Sequence, residues 1–142
     1  MAINRLLIVE DEPTILHNLR KALSSIAREV FTSIAFEQAL LCVELLRPDV
    51  ILTDIRLSEN SEDEGLEILD HVKRVLPDSR VYIMTGYGNP DTAASCFQRG
   101  ASGYFEKPVD LNLLRLVLSD TSVEVQSLGA PACHNPNDRS LL

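Results

Sequence analysis

Short apolar runs alternate along this chain with stretches in which apolar side chains recur every three or four residues. The runs predict strands at residues 5–9, 29–33, 49–53, 80–84 and 102–105. The repeats predict helices at residues 13–26, 36–46, 66–76, 91–99 and 111–118. Strands that alternate with helices form a parallel sheet covered on both faces. We therefore predict an α/β fold with a doubly wound, five-stranded parallel sheet in the flavodoxin-like order 2-1-3-4-5.

Capping residues mark the ends of several predicted helices. Asp11 or Glu12 can cap the first helix, and Pro13 suits its first turn. Gly100 is expected to end the fourth helix, and Asp110 to cap the fifth. Residues 58–64 form a polar stretch between the third strand and third helix, and we expect a loop there.

The apolar periodicity fades after about residue 121, and no internal repeat is found. Residues 127–142 combine glycine and proline with small and polar side chains, without the spacing of a packed core. We therefore predict one domain at residues 1–121, followed by a flexible tail or the start of a linker at residues 122–142.

Composition narrows the class of protein further. No apolar run approaches the roughly 18 residues of a membrane span, and a signal peptide pattern is missing, so we expect a cytoplasmic protein without membrane contact. The net charge of −8 disfavours direct nucleic-acid binding by this domain. The three cysteines and three histidines lack the spacing of a disulfide framework or a metal site.

Chemically active side chains follow four of the five predicted strands. Glu10 and Asp11 follow the first strand, Asp54 the third, Thr85 the fourth and Lys107 the fifth. These strands are neighbours in the predicted order, so their carboxyl ends should meet in one crevice. Three carboxylates so close together repel one another unless a divalent cation lies among them, and an all-oxygen site suits Mg²⁺. Lys107 and Thr85 suit phosphate oxygens, and we predict that Asp54 accepts a phosphoryl group.

Four sequence motifs carry a family resemblance. They are Ile8-Val9-Glu10-Asp11-Glu12, Leu52-Thr53-Asp54, Met84-Thr85-Gly86-Tyr87-Gly88 and Gly103-Tyr104-Phe105-Glu106-Lys107-Pro108. In this order and spacing, the chain resembles the receiver domain of two-component response regulators over about residues 4–120. It is most similar to receivers of nitrogen-regulation and nitrogen-fixation regulators.

The resemblance implies a role for each matching residue. Asp54 would be the phosphoacceptor, and Thr85 and Lys107 would contact the phosphoryl group. Glu10, Asp11 and Asp54 would hold Mg²⁺ with the backbone carbonyl of Arg56.

Two further positions match residues involved in switching. Tyr104 corresponds to the aromatic residue that turns inward on activation. Pro108 corresponds to a proline whose preceding peptide bond is usually cis and aims Lys107 into the site.

The resemblance also implies how such a domain works. A histidine kinase or a phosphotransfer protein would supply the phosphoryl group, and self-catalysed transfer and dephosphorylation would be its only reactions. Kinase specificity would lie on the first helix and the loop after the fifth strand. Phosphorylation would change the face formed by the fourth helix, fifth strand and fifth helix, and so control an output domain or partner. A phosphorylation-dependent homodimer through this face is compatible with the resemblance.

The sequence departs from the usual family pattern in three places. Glu10 replaces a frequent aspartate, so its longer side chain would reach the metal directly or through water. The loop at residues 54–65 is longer than usual and lacks a proline after the phosphoacceptor. Arg56 and Tyr87 occupy positions that influence phosphoryl lifetime in the family, and we expect them to lengthen it.

Two other classes compete with this interpretation. A phosphatase with an aspartate nucleophile would carry a second acid two residues later, where this chain has Arg56. A degenerate receiver used only for binding would not need the complete set of acids, Thr85 and Lys107. Both alternatives are therefore disfavoured.

Overall fold

The computed structural model describes residues 3–57, 63–86 and 88–119, and within them it contains one parallel sheet flanked by helices. The strands are β1 (Ile3–Val9), β2 (Ala27–Ser33), β3 (Val50–Asp54), β4 (Arg80–Thr85) and β5 (Gly103–Glu106). The helices are α1 (Pro13–Leu23), α2 (Phe36–Leu46), α3 (Glu64–Val75), α4 (Pro90–Gln98) and α5 (Leu111–Ser119). The strand order is β2-β1-β3-β4-β5, and all neighbouring strands are parallel. The predicted fold and strand order are confirmed.

The sheet buries side chains on both faces, which explains why its strands are continuous apolar runs rather than alternating ones. On one face, side chains such as Ile51 and Ile83 pack against α2, α3 and α4. On the other face, side chains such as Leu52 and Met84 pack against α1 and α5. All of β3 is buried, including its last residue, Asp54. This central strand therefore carries a carboxylate to one edge of the core.

Capping contacts explain where three helices begin or end. Glu12, rather than Asp11, caps α1, because its side chain accepts a hydrogen bond from the backbone N–H of Thr14 at 2.8 Å. Asp110 accepts two backbone N–H groups in the first turn of α5, at 3.0 and 3.1 Å. Gly100, just beyond α4, has a φ of +101°, which favours glycine after a helix end. The predicted caps at Gly100 and Asp110 are confirmed.

Several predicted boundaries differ from the structure by one to three residues, and two of these differences have a clear local cause. The first helix ends at Leu23, and Ile26, which we placed in its apolar repeat, lies beyond it in a turn where its N–H donates to the Leu23 carbonyl at 3.2 Å. Helix α4 begins at Pro90, one residue earlier than predicted, because Asn89 caps it. The first error comes from following the apolar repeat into a turn, and the second from missing a side-chain cap.

Several predictions fall outside the described residues. They concern most of the polar loop at residues 58–64, Tyr87, and the proposed tail at residues 122–142. Among the helices in the described ranges, none has the length and apolar character needed to cross a membrane.

Candidate functional site

The candidate site lies where the carboxyl ends of β1, β3, β4 and β5 meet. Glu10 directly follows β1, and its N–H donates to the Ser33 carbonyl at the end of β2 at 3.0 Å. Asp54 and Thr85 are the last residues of β3 and β4. The N–H of Lys107 donates to the Thr85 carbonyl at 2.8 Å, which extends the pairing of β4 and β5 by one bond. The sheet therefore brings together residues that are far apart in the sequence.

Lys107 contacts two of the predicted acids. Its Nζ lies 2.7 Å from Glu10 Oε1 and 2.7 Å from Asp54 Oδ2. The side chains of Glu10 and Asp54 are only 1% and 9% exposed, while that of Lys107 is 18% exposed. Charged hydrogen bonds of this length in a largely buried setting are strong, and removing one partner leaves an uncompensated charge. Lys107 thus holds the two acids in one place.

Burial shapes the electrostatics of this cluster. Burial raises the pKa of Glu10, and hydrogen bonds from Lys107 and the Glu12 backbone only partly offset that effect. For Lys107, burial alone would lower the pKa, but hydrogen bonds and charge attraction from Asp54 and Glu10 outweigh it and leave its pKa raised. Lys107 is therefore a cation at neutral pH, and Glu10 is an acid that disfavours its own buried charge.

The acids at this site fit a hard divalent cation. Glu10, Asp11 and Asp54 can each offer a carboxylate oxygen, and these atoms all lie within 4.8 Å of one another. Asp11 is exposed and the other two are buried, so the cluster opens to solvent on one side. Oxygen-only donors with room for water molecules suit Mg²⁺. The backbone N–H of Arg56 donates to Asp54 Oδ1 at 3.2 Å, which places this backbone segment beside the acids.

A cleft of about 370 Å³ opens beside Asp54. Asp54, Thr85 and Lys107 line it, together with Ile55, Arg56, Gly86, Asn89 and Thr92. Thr85 is buried, with 3% of its surface exposed. The cleft therefore gives a small molecule access to the carboxylate of Asp54.

Sequence reasoning missed Asn89 and Thr92 in this lining. Asn89 Oδ1 accepts the N–H of Thr92 at 2.8 Å, so the cap of α4 forms part of the cleft wall. The signal was present in the sequence, because an asparagine followed by proline is a common start of a helix.

The predicted switch residue, Tyr104, is 2% exposed and packs in the apolar layer formed with α2, α3 and α4. It pairs in register with Ile83 of β4. The structure thus places Tyr104 inward, while its predicted movement stays a prediction. The peptide bond between Lys107 and Pro108 is cis, as predicted.

Comparison with known proteins gives a consistent family match. The model of the response regulator receiver domain family matches residues 6–119. The nitrogen assimilation regulatory protein NtrX of Azorhizobium caulinodans is 34% identical over 123 residues, which cover 87% of this chain and 27% of that protein. The chain therefore spans about a quarter of the length of this curated relative.

Solved structures agree with the fold. NtrX from Brucella abortus, in complex with ADP, has a TM-score of 0.71 and 33% identity, with 83% of this chain and 25% of that chain covered. A response regulator protein from Burkholderia pseudomallei, with a phosphorylated aspartic acid, a calcium ion and citrate, has a TM-score of 0.73 and 24% identity. The match covers 84% of this chain and 68% of the Burkholderia chain.

Proposed function

This chain belongs to the response regulator receiver domain family, and from that premise we propose that Asp54 is its phosphoacceptor and that phosphorylation switches it between signalling states. The observation that carries the proposal is the position of Lys107 Nζ, 2.7 Å from both Glu10 and Asp54. This lysine holds the acids beside a cleft that a phosphodonor can enter. The phosphorylated aspartic acid of the Burkholderia pseudomallei relative supports the same chemistry.

The reaction needs positioning and charge compensation more than covalent machinery. An oxygen of Asp54 attacks the phosphorus atom in line, and the bond from phosphorus to the leaving group breaks. Lys107 offsets negative charge on the equatorial oxygens, and Thr85 offers a hydroxyl to one of them. Self-catalysed transfer and later hydrolysis of the acyl phosphate are the only reactions of this domain.

Glu10, Asp11, Asp54 and the backbone carbonyl of Arg56 would hold Mg²⁺. When bound, the cation supplies positive charge that makes the approach of an anionic phosphoryl group to these acids favourable. Glu10 fits this role because its carboxylate offers oxygen ligands to a metal and lies beside Asp54. Its extra methylene, compared with an aspartate, lets it bind directly or through a water molecule.

Phosphorylation adds charge and acceptor oxygens at Asp54, which draws Thr85 toward the new group. The loop after β4 then shifts. Tyr104 occupies its inward, buried position in the phosphorylated state. The face formed by α4, β5 and α5 then presents a different surface to an output domain or partner. Self-association of two copies through this face is one consequence of the same change.

Arg56 and Tyr87 lengthen the lifetime of the phosphoryl group by crowding the hydrolytic water. Arg56 lines the cleft beside Asp54, which supports its part in this proposal. Arg56→Ala and Tyr87→Ala should each speed dephosphorylation severalfold, measured as loss of the phosphorylated mass after the donor is removed. Unchanged rates in both variants would contradict this role.

The phosphoryl group comes from a histidine kinase or a histidine phosphotransfer protein in the cytoplasm. The kinase contacts α1 and the loop after β5, where specificity resides. Residues 1–121 constitute the receiver domain, a boundary supported by the family match to residues 6–119. The downstream partner or output domain is selected by the α4–β5–α5 face.

Labelling with small phosphodonors tests the proposal. The protein is incubated with acetyl phosphate or phosphoramidate, with and without Mg²⁺, and its intact mass is measured. We expect a gain of one phosphoryl group that requires Mg²⁺ and is absent in Asp54→Asn. Steady hydrolysis of unrelated phosphate esters without a stable mass gain would instead indicate a phosphatase. The absence of both would indicate a receiver used only for binding.

A further inference from the structure

The cleft beside Asp54 is larger than the phosphoryl group that Asp54 would receive. Its volume of about 370 Å³ corresponds to roughly a dozen water molecules, at about 30 Å³ each. Asp54, Thr85 and Lys107 account for one part of the lining, and Arg56, Asn89 and Thr92 for another. The second part is therefore available to the portion of a phosphodonor that departs.

The oxygen and the nitrogen of the Asn89 amide have different roles in this wall of the cleft. Its Oδ1 is committed to the cap of α4, because a backbone N–H can be accepted only by the oxygen of the amide. The Nδ2 group, with two N–H donors, is the polar end of Asn89 that remains for a ligand in the cleft. Arg56, which also engages other groups, lines the same cleft. This part of the cleft therefore presents hydrogen-bond donors from Asn89.

Such a wall suits a leaving group that gains negative charge during the reaction. We propose that Asn89, supported by Thr92 and Arg56, contacts the leaving group of small phosphodonors and favours acyl phosphates over phosphoramidates. This inference rests on the proposed function, because it concerns the leaving group of the same phosphoryl transfer to Asp54.

The proposed step is balanced in atoms and electrons. An Asp54 oxygen forms a bond to phosphorus while the bond between phosphorus and the acyl oxygen breaks. The acyl oxygen takes the electron pair and departs as a carboxylate, so no proton has to be supplied. With phosphoramidate, whose nitrogen is already protonated at neutral pH, the bond between phosphorus and nitrogen breaks and ammonia departs with the electron pair, so this leaving group is neutral and carries no negative charge for Asn89 to stabilise.

Three substitutions at Asn89 separate its contact with a ligand from its capping of α4. Asn89→Asp and Asn89→Ser both keep an acceptor for the N–H of Thr92, since Asp and Ser are good caps. Asn89→Asp replaces the amide donors with negative charge, and Asn89→Ser removes them without adding charge. Asn89→Ala also loses the cap and reports the structural effect.

The test measures initial rates of labelling by acetyl phosphate and by phosphoramidate, with Mg²⁺, in each folded variant. We expect the ratio of the acetyl phosphate rate to the phosphoramidate rate to fall about five- to tenfold in Asn89→Asp, as a charge several ångströms away predicts. A fall of about two- to threefold is expected in Asn89→Ser, from loss of one hydrogen bond.

Two negative results are distinguishable. A ratio that stays within twofold of wild type in both Asn89→Asp and Asn89→Ser overturns this inference, even if both rates fall together. A wild-type protein that neither donor labels overturns the proposed function itself, and this inference with it.

Discussion

At the scale of single residues, the site depends on how Lys107 is balanced between two acids. One lysine cannot neutralise Glu10, Asp11 and Asp54 together, so the cluster keeps an excess of negative charge. Burial raises the pKa of Glu10, and repulsion from Asp54 adds to that effect. Such an excess of negative charge favours the binding of a divalent cation, and it lowers the stability of the fold when no cation is bound.

Glu10→Gln should therefore gain stability relative to the wild type as the pH rises from about 4 to about 7 without Mg²⁺. The substitution removes a buried charge, and Lys107 keeps its ion pair with Asp54. The single amide oxygen, however, can replace only one of the two contacts of Glu10 with the Glu12 N–H and Lys107. Chemical denaturation measures the change, with the exposed Glu67→Gln as the control. A stability difference between Glu10→Gln and the wild type that stays constant over this pH range would contradict the account.

The sign of the pH dependence follows from the raised pKa of Glu10. The folded state holds this proton more tightly than the unfolded chain, so the cost of the charge is absent below the ordinary glutamate pKa of about 4.3. It grows as pH rises through the folded pKa. The stability of Glu10→Gln relative to the wild type should accordingly be higher at pH 7 than near pH 4.

The cysteines give a second prediction at this scale. Burial raises the pKa of the Cys96 thiol to about 11, and Cys96 is fully buried in the core. Cys42 is half-buried on α2. Iodoacetamide at pH 8 should modify Cys42 much faster than Cys96, as measured by peptide mass mapping, because the thiolate is the reacting form. Equal rates would indicate that the α4 layer opens readily.

Sequence reasoning succeeded best for residues placed by the strands. Glu10, Asp54 and Lys107 could be assigned to one crevice because each directly follows or ends a buried strand. Asn89 was missed because its role depends on the start of α4, and that start is fixed by one side-chain hydrogen bond. Likewise, the inward position of Tyr104 depends on packing, which an isolated strand sequence leaves open.

At the scale of elements, the junction between β3 and α3 shows how tightly the site backbone is held. The N–H of Gly65 donates to the Ile55 carbonyl at 2.9 Å. A methyl group at Gly65 would collide with backbone atoms of Asp54 and Ile55. Helix α3 can therefore approach the end of β3 only where a side chain is missing.

Gly65→Ala should destabilise the domain by about 1–3 kcal/mol, because rigid backbone atoms would have to move. Gly86→Ala is the matched control, since a methyl group there meets no atom within 4 Å. Its expected effect is within about 0.5 kcal/mol. Urea unfolding of both variants measures the difference, and similar values for the two would contradict the close approach.

At the scale of the whole molecule, the two apolar layers place different helices on the two faces of the sheet. Helices α2, α3 and α4 cover one face of the sheet, and α1 and α5 cover the other. The proposed output face combines α4 and α5 across the edge strand β5. The opposite edge strand, β2, pairs only with β1 in the described sheet and lies far along the strand order from β5.

Amide hydrogen exchange should reflect this division. Phosphorylation in the presence of Mg²⁺ should change the protection of peptides from α4 and β5, while peptides from β2 and α2 remain unchanged. Asp54→Asn treated in the same way provides the baseline. Equal changes on both sides of the sheet would argue against a localised output face.

The alternation of apolar runs and helical repeats predicted the order of the sheet and which residues meet at the ends of its strands, because buried parallel strands have a strong pattern. They predicted helix ends less well, since those depend on single contacts such as the Asn89 cap. Recognition of a particular kinase leaves the weakest pattern in the sequence. It depends on solvent-exposed side chains, which packing in the core does not constrain.

The most direct test of the central claim is to locate the phosphoryl group by chemical trapping. After reaction with acetyl phosphate and Mg²⁺, borohydride reduction converts an aspartyl phosphate to homoserine, which peptide sequencing by mass spectrometry can place. The account predicts homoserine at position 54, and at no other acidic position. Homoserine at position 11 instead, or labelling that persists in Asp54→Asn, would contradict it.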